Sequence, residues 1–148
     1  MRALLQRVSR ASVRVEEREI ARIGAGLLIL LGVAARDPGG AAERLAERCA
    51  GLRIFEDDAG RMNRSVIDVA GEALVVSQFT LVADVSRGRR PGFDPAAPPE
   101  AAEAAYGRFC AALEGAGVPV RRGRFGASMQ VELVNEGPAT FLLETPES

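Results

Sequence analysis

The apolar run Ala73 to Val76 passes directly into Ser77-Gln78-Phe79-Thr80-Leu81, and this pattern constrains the fold more than any other segment. A strand whose successive side chains are all apolar has both faces covered, so it lies in the middle of a sheet with material packed above and below. Its C-terminal residues turn polar. Polar groups at the end of a buried strand are candidates for a site. Other strands are read at Ala3 to Val8, Ser12 to Glu16 (where Val13 and Val15 alternate with polar neighbours), Ile20 to Ile23 and Leu27 to Val33. Arg53 to Phe55, Val118 to Arg122, Gln130 to Val134 and Thr140 to Leu143 complete the set.

Two helices separate these strands. The first starts at Asp37-Pro38, with Asp37 as N-cap and Pro38 at the first helical position, where its missing N–H costs nothing. Leu45, Ala46, Cys49 and Leu52 form its apolar stripe. The second runs from Pro99 to Glu114, with Ala102, Ala105, Tyr106, Phe109, Cys110 and Leu113 on one face and Gly115 as its stop. Ser86 to Pro99 is rich in Arg, Gly and Pro and reads as a long loop. Gly24-Ala25-Gly26 is followed by a strand instead of a helix, so it reads as a turn and not as a phosphate loop. The acids of Glu56-Asp57-Asp58-Ala59-Gly60 lack the alternating ligands and closing glutamate of a calcium loop and read as a solvated turn. With no repeat or composition break, residues 1–148 form one α+β domain.

Composition narrows the chemistry. The chain has no histidine, and its 19 basic residues are all arginine. Serine triads, Cys-His pairs, HExxH zinc sites and lysine Schiff bases are thereby excluded, and neither a metal nor a cofactor is called for. Cys49 and Cys110 sit among apolar helix positions and read as buried, reduced thiols. The net charge of −1 argues against sequence-independent nucleic-acid binding over the whole surface and leaves room for a local basic patch. The longest apolar run, Gly26 to Ala35, covers about half of the roughly 20 residues a membrane helix needs. A cytoplasmic protein with no membrane partner is expected.

Asn135-Glu136-Gly137-Pro138 lies between two strand-like runs. Taken locally it is a hairpin turn, with Gly137 at positive φ and Pro138 starting the next strand.

Two segments together change that weighting. Ser77-Gln78-Phe79-Thr80-Leu81 and Asn135-Glu136-Gly137-Pro138-Ala139-Thr140 resemble the paired SQFTL and NxGPxT signatures of the D-aminoacyl-tRNA deacylases. The likeness extends through Gln6-Arg7-Val8, Arg10-Ala11-Ser12-Val13, Ile23 to Leu27, Arg53-Ile54-Phe55, Gly60-Arg61-Met62-Asn63, Arg87-Gly88, Arg90-Pro91 and Gly123 to Ala127. It departs from the commoner pattern at Glu136, often aspartate, and at Ala139, often valine. Neither change touches Gly137-Pro138. The resemblance implies a homodimer with a barrel-like, mostly antiparallel or mixed sheet and two main helices. It further implies that the Gly137-Pro138 peptide, in cis, enters the partner subunit's active site. There its carbonyls crowd the position of an L-side chain and admit a D-side chain or glycine. Arg7 resembles the arginine that fixes the motif's geometry. The implied reaction is hydrolysis of the ester between a D-amino acid and the terminal ribose of tRNA, with no DNA partner.

For the catalytic group, Gln78, Phe79 and Thr80 are the candidates. Thr80 and Thr140 carry hydroxyls with no evident base to activate them. On a regular strand Ser77 and Phe79 face one way and Gln78 and Thr80 the other. The preferred mechanism places main-chain N–H groups around Gln78 and Phe79 on the substrate carbonyl, with the ribose 2′-hydroxyl assisting water. Ser77, Phe125, Gly126, Met129, Gly137, Pro138 and Thr140 are the candidate substrate contacts, Phe125 as the surface on which the terminal adenine stacks. Arg87, Arg89, Arg90, Arg121, Arg122 and Arg124 are candidates for acceptor-stem phosphates. Two other readings stay open: a hydrolase of free D-amino-acid esters or amides, and a dimeric amino-acid-binding module.

Overall fold

The computed structural model describes residues 1–146. Strand β1 (Arg2–Val15) is the spine of the sheet and unites the two strands read at Ala3–Val8 and Ser12–Glu16. The sequence reads it as two because its alternation changes parity. Ala3 and Leu5 enter one core, whereas Val8, Ala11, Val13 and Val15 enter another. Register shifts against the last strand fall between Gln6 and Val8 and between Val8 and Arg10. A bulge adds residues on one strand and so exchanges the faces of everything beyond it.

β2 (Arg18–Ile23) folds back through Glu16 and Glu17, whose φ values of 49° and 67° are those of a tight hairpin turn. The chain kinks at Gly24-Ala25 and continues along the same edge of β1 as β3 (Gly26–Gly32). Gly26 permits this kink beside the next strand. A Cβ there would stand 1.9 Å from the Glu72 carbonyl oxygen.

The chain next forms α1 (Ala41–Gly51) and the short hairpin β4 (Phe55–Glu56) and β5 (Met62–Arg64). β6 (Glu72–Ser77) then lies parallel to β3, and after α2 (Pro99–Gly115) the strand β7 (Val120–Arg122) lies parallel to β6. Both parallel steps have the helical crossover such pairings require. β8 (Gln130–Glu144) runs antiparallel to β1 along its other edge. The sheet is therefore mixed, and it curls until it is nearly closed into a barrel.

Ala73, Leu74, Val75 and Val76 are all at most 1% exposed, as their composition requires. Ala73 and Val75 pack into the core under α1 and α2, and Leu74 and Val76 into the barrel interior with Val13, Ile23 and Met129. The buried face of α2 is the one its periodicity predicts: Ala102, Ala105, Tyr106, Phe109, Cys110 and Leu113.

The start of α1 differs from the expectation. Gly40, with φ 79°, precedes the helix, and Asp37 does not cap it. The Asp37 carboxylate instead accepts the amine of Met1 and, at 2.8 Å, the N–H of Ala34. A full positive charge outcompetes a helix N–H for that side chain. Asp57 organises the β4–β5 turn by accepting the N–H groups of Ala59 and Arg61 at 2.9 and 3.0 Å. Those main-chain bonds, the one from Arg61 first, hold its carboxyl below the ordinary range. No helix among the described residues is long and apolar enough to cross a membrane.

Candidate active site

Past Ser77 the chain leaves the sheet. The Gln78 N–H donates to Leu31 O at 2.8 Å, and Phe79–Val82 wind into a single 3₁₀ turn begun by Leu81 N–H to Gln78 O at 3.2 Å. The expected alternation of Ser77 and Phe79 against Gln78 and Thr80 therefore does not apply, because the strand ends one residue before it would matter. Ser77, Gln78 and Phe79 all line one cavity of about 560 Å³. Thr80 stands outside that wall, and its Oγ1 accepts from Gln78 Nε2.

This turn also revises the expected donors. The Gln78 N–H is committed to β3, whereas those of Phe79 and Thr80 meet no acceptor among the described residues. The opening residues of a helical turn leave their N–H groups unpaired. Two adjacent main-chain donors are thus available beside the cavity.

The second wall follows β7. Val75 O accepts both Gly123 N–H at 3.0 Å and Tyr106 OH at 2.7 Å, which ties the two strands together just before each reaches the site. Gly126, at φ 77°, turns the chain, closed by Ala127 N–H to Arg124 O at 3.2 Å. Phe125 is half-buried against Tyr106, with ring centroids 6.2 Å apart. Met129 sits below it, its sulfur accepting Arg124 N–H at 3.4 Å. Phe125, Gly126 and Met129, predicted from the sequence, thus meet Ser77, Gln78 and Phe79 around one space.

The third wall escaped the sequence reading. Phe93, Ala96 and Ala97 from the long loop and Pro99 and Ala102 from the start of α2 complete the cavity. The signal for Phe93 was there: it is the one aromatic in a segment of Arg, Gly and Pro. The small residues carry no comparable signal.

None of the fifteen lining residues is ionisable, and Ser77 and Gln78 supply the only polar side chains. The thiols lie elsewhere. Burial pushes Cys49 up to about 12 and Cys110 up to about 11, so both are protonated and unreactive near neutrality.

Asn135 to Thr140 is not a hairpin turn. β8 runs through it as one strand, and the residues from Glu136 to Ala139 stand opposite Arg7 alone, between the pairs Gln6–Thr140 and Val8–Asn135. Gly137 does not take the expected positive φ, and the Gly137–Pro138 peptide is cis. Arg7 donates from Nε to Glu136 O at 2.9 Å and from Nη1 to Ile54 O at 2.7 Å. Asn135 Nδ2 closes the base of the bulge on Arg7 O and Ala139 O, at 2.9 and 3.2 Å. Ala139 is buried, whereas Glu136, Gly137 and Pro138 are exposed. Thr140 Oγ1 accepts from Gln6 Nε2 at 3.2 Å. Arg7, Gly137, Pro138 and Thr140 take no part in the wall of this cavity.

The fold and site define a single mixed-sheet domain, nearly closed into a barrel, with a cavity of aromatic and small apolar walls served by main-chain donors. Residues 4–144 match the family model described as D-Tyr-tRNA(Tyr) deacylase. A D-aminoacyl-tRNA deacylase of Roseiflexus castenholzii is 59% identical over 145 residues, covering 98% of this chain and 92% of its own length. One of Paracoccus denitrificans is 56% identical over 147 residues, covering 99% of each. Among solved structures, one titled c-Myc DNA Unwinding Element Binding Protein superposes with a TM-score of 0.93 at 42% identity, covering 99% of both chains. A probable eukaryotic D-amino acid tRNA deacylase has the same fold, with a TM-score of 0.81 at 20% identity over 96% of this chain and 97% of its own. The chain belongs to the D-Tyr-tRNA(Tyr) deacylase family.

Proposed function

We propose that this enzyme, a hydrolase of the ester bond of D-aminoacyl-tRNA, carries out the reaction with groups of its main chain and of its substrate. The observation that carries this reading is the cavity itself: the aromatic ring of Phe125 and the Phe79 residue, whose N–H is unpaired, line one space without an ionisable side chain, and the unpaired N–H of Thr80 follows directly after it. The terminal adenine stacks on Phe125 with Gly126 and Met129 beside it. The Phe79 N–H, with Thr80's behind it, meets the ester carbonyl and stabilises the oxyanion that forms when water attacks. The ribose 2′-hydroxyl, next to the scissile ester, assists that water.

Chirality is read by the partner. In a homodimer the Gly137-Pro138 peptide of one subunit reaches the cavity of the other, where its carbonyls occupy the space an L-side chain would need. A rigid wall separates mirror images by clash, which attraction alone does poorly. Glycine has no side chain to reject, so glycyl-tRNA is a second substrate. Support for this arrangement comes from the exposed bulge at Glu136 to Pro138, its bracing by Arg7 and Asn135, and its separation from its own subunit's cavity. The exposed Arg87, Arg89, Arg90, Arg121 and Arg124 take acceptor-stem phosphates, as does Arg122 beside its ion pair with Glu114. The working compartment is the cytoplasm, where aminoacyl-tRNA is found.

The test is deacylation of D-Tyr-tRNA by Thr80→Ala and Thr140→Ala enzymes. Each hydroxyl only accepts a hydrogen bond from a neighbouring glutamine amide, so each change should lower the rate by less than about tenfold, roughly 1.4 kcal/mol. A loss of several hundredfold with tRNA binding intact would make that threonine a nucleophile and sink the main-chain mechanism. D-Tyr methyl ester cleaved as well as D-Tyr-tRNA would favour a hydrolase of free esters instead. Tight binding of a free amino acid without any deacylation would favour a binding module.

A further inference from the structure

In the single chain, two phenylalanine rings of the cavity lining are exposed. Phe79 is 54% and Phe93 43% exposed, and they meet edge to face with centroids 5.1 Å apart. Phe93 is firmly held, although it belongs to a loop. On one side, reciprocal bonds between Asp84 and Gly92 (2.7 and 2.8 Å) close the lobe that carries Arg87, Arg89 and Arg90. On the other, Ala96 N–H returns to Phe93 O at 3.0 Å, while Ala35 N–H to Pro95 O and Ala97 N–H to Val33 O bind the loop to the end of β3. Phe125 lies on the same cavity but is engaged against Tyr106.

Exposed aromatic faces cost free energy in water unless something covers them. A rigid aromatic platform next to a lobe of three arginines is the arrangement proteins use for single-stranded nucleic acid: rings take bases, guanidinium groups take the phosphates between them. One base is already provided for at Phe125. We propose that Phe93, backed edge-on by Phe79, is a second stacking platform, which takes the unpaired base immediately 5′ of the terminal adenosine. The arginines of the 87–90 lobe lie on the phosphates that follow. This rests on the reading of the substrate as an aminoacylated RNA 3′ end, and it makes the enzyme a reader of at least two nucleotides.

The experiment compares kcat/KM for the D-tyrosyl ester of adenosine with that for the D-tyrosyl ester of the dinucleotide cytidylyl-adenosine. In the unmodified enzyme the second base should raise kcat/KM by about tenfold, the size of one base–aromatic stack. Phe93→Ala and Phe93→Leu should bring that ratio close to one, since neither offers an aromatic face, and Phe93→Tyr should preserve it. Leucine keeps the apolar bulk against Phe79 and so guards against a fold defect in the alanine enzyme. A ratio unchanged in both the Ala and Leu enzymes overturns the proposal, even if both rates fall together. So does an unmodified enzyme that gains nothing from the second base while cleaving both esters. An enzyme that cleaves neither ester nor D-tyrosyl-tRNA would instead overturn the reading of the substrate, and this proposal with it.

Discussion

A D-tyrosyl-tRNA whose terminal ribose lacks the 2′-hydroxyl is expected to be deacylated about 10²–10⁴-fold more slowly than its ribose counterpart, the range a single positioned proton-transfer group supplies. The expectation follows from the walls of the cavity proposed to hold the scissile ester. The cavity walls hold no carboxylate, no guanidinium and no thiol, and the chain has no histidine or lysine to bring in from elsewhere. Water attacking an ester must lose a proton, and the leaving ribose oxygen must gain one. Ser77 Oγ has no base beside it among the lining residues, and Gln78 can orient water but does not take its proton near neutrality. In the proposed mechanism the vicinal hydroxyl of the substrate relays the proton between the two oxygens. The measurement is a single-turnover rate with saturating enzyme, which separates chemistry from binding. A deoxy substrate hydrolysed within about threefold of the ribose form would contradict the mechanism and redirect attention to the Ser77 hydroxyl.

Such a site is only partly legible in a sequence. The strand Ala73–Val76 and the buried face of α2 could be read residue by residue, because continuous burial and helical periodicity are local patterns. The ends of elements were not. Asp37 looks like a helix cap until Met1, 36 residues away, is folded beside it. Gln78 to Leu81 alternates like a strand, and only the bond from Gln78 N–H to Leu31 O shows where the chain turns away. The clearest case is Asn135 to Thr140. Glycine and proline mark a turn and a bulge with the same residues, and the difference lies in β1, whose Gln6 and Val8 hold both flanks in one strand. The residue types that build the site compound the difficulty. Main-chain N–H groups are present at every position except proline, so the proposed main-chain mechanism leaves no compositional trace, and the motif was visible only as a resemblance.

Arg7 is where the bulge becomes testable. Arg7→Ala should lower kcat/KM for D-Tyr-tRNA by about 10²-fold, the cost of displacing a site element by roughly an ångström. Its guanidinium joins the Glu136 carbonyl at the foot of the bulge to the Ile54 carbonyl ahead of β4, at 2.9 and 2.7 Å. These bonds to a charged donor are strong for main-chain contacts. Without them, Glu136 to Pro138 keeps only the Asn135 amide as a brace. The readout that distinguishes positioning from general destabilisation is the ratio of D- to L-tyrosyl-tRNA hydrolysis. A fold weakened uniformly loses both rates and keeps the ratio. On the proposed arrangement, in which Gly137-Pro138 forms the wall of a partner's cavity, a displaced wall loses D-activity while admitting L-substrate, so the ratio should fall by at least tenfold, with the melting temperature changed by only a few degrees. Arg7→Lys should recover part of the effect, because one ammonium can meet one of the two carbonyls but cannot span both. An Arg7→Ala enzyme that retained full discrimination would show that Asn135 and the paired flanks of β8 fix the bulge unaided.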